Sequence, residues 1–92
     1  MDERNPQKRK DLLNLAENAA VDALVRRLSM NRADSVWNGM LIIKSQIRFS
    51  SLEKKDEANQ ALDKLVQALI DEGENLSDPR LQADINTVRK AL

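Results

Sequence analysis

The sequence predicts an all-α protein, a compact bundle of three to four helices with short connections. Three observations carry this. Only two glycines and two prolines interrupt 92 residues, so few positions resist helix. The chain holds one tryptophan, one phenylalanine and no tyrosine, and it is poor in the side chains that favour strands. Its apolar residues recur at i, i+3, i+4 and i+7, the period of a helix buried along one face. The length suits a single domain, residues 1–92, with a modest core. That core must come from Leu, Ile, Val, Met and Ala. Residues 1–7 are expected to fray.

The first helix is expected over 6–30. Asn5-Pro6 reads as its start, with Asn5 capping and Pro6 in the first turn. Leu12, Leu15, Ala16, Ala19, Ala23 and Met30 fall close together on the wheel, and Leu13, Ala20 and Leu24 widen that face. Val21, Val25 and Leu28 lie off the main stripe. SMNRADS (29–35) reads as a turn in which Asn31 and Asp34 resemble a capping box. A second helix is expected over 32–49 and a third over 51–72, with Ser50 and Glu53 as a capping box between them. The pattern leaves open whether these two are one bent helix. In the third, Ala58, Ala61, Leu62, Leu65, Val66 and Leu69 keep helical spacing, and Gly73 suits its left-handed end. Asp78 and Pro79 then cap and open a last helix whose stripe is Leu81, Ile85, Val88 and Leu92.

The segment SVWNGMLIIKSQIRF (35–49) holds both aromatic residues and three of the five isoleucines. At about 100° per residue, Met40, Ile43 and Ile47 lie within roughly 40° of Val36, and Trp37 and Leu41 at roughly 100° and 140° broaden that core face. Ile42 and Phe49 fall at roughly 240° and 220°, on the opposite side. Burying both would contribute on the order of 3–6 kcal/mol, a large share of the ~5–15 kcal/mol that holds a domain together. They are therefore expected to be covered, either by another helix of the same chain or by a partner.

Catalytic chemistry has little to build on. Histidine and cysteine are both absent, which removes the commonest general base and transition-metal ligands, along with disulfides. No phosphate loop or nucleophile elbow occurs. Asp71, Glu72 and Glu74 cluster near a helix end, where a solvated acidic loop is the simpler reading than a divalent-cation site. The expectation is a non-enzyme with no metal, no cofactor and no small-molecule substrate. No apolar run is long enough to span a membrane. MDERNPQKRK lacks the apolar core of a secretory signal, so the expected compartment is the cytoplasm, with leaderless secretion left open.

Fifteen basic residues balance fifteen acidic ones. They are unevenly placed: residues 1–50 carry nine basic and six acidic side chains, and residues 51–92 six and nine. That polarity hints at self-association through opposite halves. Arg9, Lys10, Arg26, Arg27 and Arg32, on the first helix and its exit, are the candidate phosphate contacts of an alternative reading, a dimeric helical nucleic-acid-binding regulator. The second helix is too apolar to read base edges, and Asp11, Glu17 and Asp22 dilute the basic stripe. Arg26-Arg27-Leu28-Ser29 matches a basophilic kinase pattern, although Ser29 is more simply a capping residue.

Two short stretches resemble known families. Trp37-Asn38-Gly39 resembles the Trp-x-Gly turn of small secreted helical-hairpin proteins, which often dimerise; here an apolar run follows at once, and Gly39 would have to lie in a bend. Leu76-Ser77-Asp78-Pro79 resembles the proline-bearing turn of type III secretion needle subunits and their small helical chaperones. The resemblances cover three and four residues, and neither transfers a functional residue.

The function expected from the sequence is non-catalytic protein–protein interaction through an apolar helix face, as in an adaptor, inhibitor, secretion chaperone or assembly factor. The expected contacts are Trp37, Leu41, Ile42 and Phe49, with Lys44 and Arg48 as charges at the rim. The partner is expected to be another protein or a second copy of the chain.

Overall fold

A computed structural model describes the backbone of residues 6–49 and 52–92 and the side chains of residues 15–49 and 52–92. Five helices follow one another: α1 (Pro6–Arg26), α2 (Met30–Ser35), α3 (Trp37–Phe49), α4 (Leu52–Asp71) and α5 (Pro79–Ala91). No strand occurs among the described residues. The helix count exceeds the expected three to four because SMNRADS is not an open turn. Ser29 accepts a hydrogen bond from the backbone N–H of Arg32 and caps the six-residue α2. The cap is thus Ser29 and not Asn31, and α1 ends at Arg26 instead of running on to residue 30. Val36 closes α2 and at once accepts the N–H of Met40, so α3 starts with almost no linker. Asn5 and Ser50, expected as caps, lie outside the described residues.

The later boundaries follow their local chemistry. Gly73 adopts φ 88°, a conformation that costs an L side chain but not glycine. Its N–H reaches the Ile70 carbonyl, and the N–H of Glu74 reaches that of Leu69. These two bonds make a Schellman end for α4. Asp78 accepts from the Arg80 N–H at 2.9 Å and caps α5, with Pro79 in its first turn.

α3 packs most extensively against α4 and also against α1, and α5 packs mainly against α1, with smaller α4–α5 and α1–α4 contacts. The core is built from Val21 and Leu24 of α1, Leu28 just past its end, Met40, Ile43 and Ile47 of α3, Ala58, Leu62, Leu65 and Leu69 of α4, and Leu81 and Val88 of α5. Leu12 and Leu13 lie outside the described side chains. For the rest of α1 the expected stripe is displaced: Leu15, Ala16 and Ala19 are exposed, while Val21 and Leu24 are fully buried. The physical reason is area. Branched Val21, Leu24 and Leu28 remove more apolar surface from water than an alanine stripe can. Met30, expected on the same stripe, belongs to α2 and is exposed.

α3 and α4 approach closely at one point. A Cβ built on Gly39 would lie 3.2 Å from the Cβ of Ala61. Two small residues facing each other let the backbones come together, which presses Met40, Ile43 and Ile47 inward. Gly39 is therefore a helical packing residue. Trp37-Asn38-Gly39 forms the first turn of α3, not the bend of a hairpin.

Candidate functional site

The exposed side of α3 follows from what its other sides do. Its inner face meets the core. On the α1 flank, Lys44 pairs with Asp22 at 2.7 Å. On the α4 flank, Gly39 meets Ala61, and the Ser45 hydroxyl accepts from Lys54 at 3.3 Å. What remains is an outward arc that includes Trp37, Asn38, Leu41, Arg48 and Phe49, all exposed. Trp37 is 54 % exposed, Leu41 46 % and Phe49 70 %. The Arg48 guanidinium carbon lies 5.6 Å from the centroid of the Phe49 ring, a cation–π distance.

This rearranges the expected faces. Trp37 and Leu41, placed on the core face by periodicity, are on the outside. Ile42 and Phe49, expected to share one covered face, part company. Ile42 is half-buried against the core and lines a groove of about 300 Å³ between the start of α3 and α4, together with Val36, Gly39, Ala61, Glu57 and Lys64. Phe49 is exposed among the described residues. The Gly39–Ala61 contact marks the flank of α3 that meets α4; Ile42 lies on that flank and Trp37 does not. Of the six expected contact residues, Trp37, Leu41, Arg48 and Phe49 therefore share one surface. Ile42 sits in the neighbouring groove, and Lys44 is held by Asp22.

Two of the basic residues of the alternative reading, Arg27 and Arg32, are engaged by acidic neighbours. The side chains of Arg9 and Lys10 lie outside the described set. Arg26 is exposed. Arg27 faces Glu74 at 3.3 Å and Asp78 at 3.7 Å, and Arg32 faces Asp71 at 3.4 Å and Glu72 at 3.7 Å. The Ser29 hydroxyl donates to Glu72 at 3.0 Å. The positive first half and the negative second half thus meet within one chain, at the corner where α1 and α2 pass the α4–α5 connection. In the sequence this polarity is a hint of self-association; folding consumes much of it internally. The same contacts engage the acidic cluster of Asp71, Glu72 and Glu74. Among the described residues no group of three or more acidic side chains is arranged to hold a metal ion, and no helix is long and apolar enough to cross a membrane.

Two buried oxygens lack a partner, Asn18 Oδ1 and Gln46 Oε1. Gln46 is the buried polar residue of α3. Sequence reading misses it, because a lone glutamine in an apolar run carries no pattern.

Compared with known proteins, the chain matches no family model, no curated protein sequence and no solved structure.

Proposed function

We propose that the protein is a non-catalytic interaction module whose working surface is the outer arc of α3. One observation supports this above the others: Trp37, Leu41 and Phe49, two of them the chain's sole aromatics, stay substantially in water while aliphatic residues and Met40 form the buried core of the described residues. Large apolar side chains gathered on one exposed face mark interaction surfaces in soluble domains. Trp and Arg are over-represented where binding energy concentrates, and Arg48 stands beside Phe49. The nucleic-acid reading is weaker, because acidic neighbours already occupy the guanidinium groups of Arg27 and Arg32.

The test uses a photo-crosslinking residue in place of Leu41, with a second placed at exposed Gln67 on α4 as control. In cells that make the protein, Leu41 should give a discrete protein adduct and Gln67 should not. That adduct should persist at high salt, where phosphate contacts would weaken steeply. Equal labelling from both positions, or none from Leu41, would overturn the reading. Leu41→Ser should leave the isolated chain folded, since the side chain is already half in water.

A further inference from the structure

We propose that Ser29 is a phosphorylation site for an arginine-directed serine kinase, and that a phosphate there releases α2 from the end of α4. The site lies apart from the α3 arc and stands whether or not that arc binds a partner.

The recognition elements surround one residue. Arg26 and Arg27 precede Ser29 by three and two positions, and apolar Met30 follows it. No other serine or threonine of the chain has arginine at both of those positions. Ser29 stands in the short break between α1 and α2, with extended backbone at φ −62° and ψ 159°. Arg26, Ser29 and Met30 are exposed. Arg27 is held by Glu74 and Asp78, and Leu28 is buried. Both must leave their places for the segment to lie extended in a kinase cleft. The backbone bonds that hold them, from Arg27 to the Leu24 carbonyl and from Leu28 to that of Val25, lie beyond the end of α1. Opening there is local and costs less than global unfolding.

In the transfer, Ser29 Oγ attacks the γ-phosphorus of Mg-ATP. The Oγ–P bond forms, the bond from phosphorus to the β-phosphate oxygen breaks, and ADP leaves. The hydroxyl proton passes to the kinase's carboxylate base.

The consequence follows from the two hydrogen bonds of the hydroxyl. It accepts from the Arg32 N–H at 3.4 Å and donates to Glu72 at 3.0 Å. Phosphate oxygens still accept, so the cap of α2 survives, but the donated proton is gone. Glu72 then faces a group of roughly −1.5 to −2 charge. Arg32 already answers Asp71 and Glu72, and Arg27 answers Glu74 and Asp78. Neither arginine can neutralise the phosphate without abandoning a carboxylate. No residue of α2 is buried, so little apolar packing opposes its release. The phosphate thus favours the open corner over the closed one, and by linkage shifts the population toward it.

The full chain is treated with a purified arginine-directed serine kinase and Mg-ATP, and the product is mapped by mass spectrometry. One phosphate is expected, on Ser29, and none there in Ser29→Ala. Glu72→Gln and Asp71→Asn should each be modified several-fold faster, because the corner opens more often. In the phosphorylated chain, amide exchange should quicken about tenfold at Ala33 and Val36, whose N–H groups close α2. The change should shrink at high salt. An unmodified chain, or phosphate spread equally over Ser29, Ser35 and Ser51, would overturn the site. Phosphorylated Ser29 with unchanged exchange at Ala33 and Val36 would overturn the release of α2.

Discussion

The close approach of Gly39 and Ala61 can be tested by adding volume one carbon at a time. A Cβ at Gly39 lies 3.2 Å from the Ala61 Cβ and 3.8 Å from its Cα. Carbon atoms prefer about 3.5–4.0 Å, and neither the alanine methyl nor its backbone can rotate out of the way. For Gly39→Ala, relief of the glycine penalty contributes about 1 kcal/mol. A shift of a few tenths of an ångström offsets it, so the net change should fall within about 1 kcal/mol of zero. Gly39→Val places two further carbons on a Cβ that is already crowded and gains less in helix propensity. Overpacking then costs about 1–3 kcal/mol, and a loss of about 2 kcal/mol lowers the melting temperature by roughly 8–16 °C in a domain of this size. Urea unfolding of both variants and of Gly39→Val with Ala61→Gly completes the cycle. Removing the opposing methyl should recover about 1 kcal/mol as coupling. Wild-type stability in Gly39→Val, or a loss that Ala61→Gly does not change, would refute the close approach.

Three other outcomes follow from particular residues. Gly73→Ala should cost about 1–2 kcal/mol in chemical denaturation, and Gly73→Asn less; no atom lies within 4 Å of the added carbon, so the loss comes from the φ of 88° alone. Gln46→Met should raise stability by about 1 kcal/mol, because it replaces a buried amide oxygen that has no partner with an apolar chain of similar length; a loss of stability on urea titration would mean that the amide is satisfied. Burial raises the pKa of the Glu17 carboxyl above its ordinary value, so the folded state binds its proton more tightly than the unfolded state does. Stability from this group therefore falls as pH rises from the ordinary carboxylate range through the raised value. Glu17→Gln should be more stable than wild type at pH 7 and should lose that advantage near pH 4, read from denaturation midpoints across the range.

Much of this fold is determined by local sequence. Helical class, the glycine end of α4, the Asp78–Pro79 start of α5 and the buried positions of α4 all depend on backbone preference and helical period. These act over a few residues and can be read without a partner helix. Periodicity also places Met40, Ile43 and Ile47 on the inner face of α3. It cannot decide how wide that face is. Trp37 and Leu41 are apolar and adjoin the core stripe, yet lie outside; Ile42, farther round, is sheltered. That choice rests on which flank of α3 meets α4, marked where Gly39 faces Ala61, two residues far apart in sequence whose smallness matters only when they face each other. Charge behaves in the same way. The sequence determines that Arg27 and Arg32 are positive and that Asp71, Glu72, Glu74 and Asp78 are negative. Only tertiary structure decides that they meet within one chain, because Coulomb attraction depends on distance in space and not on position along the chain.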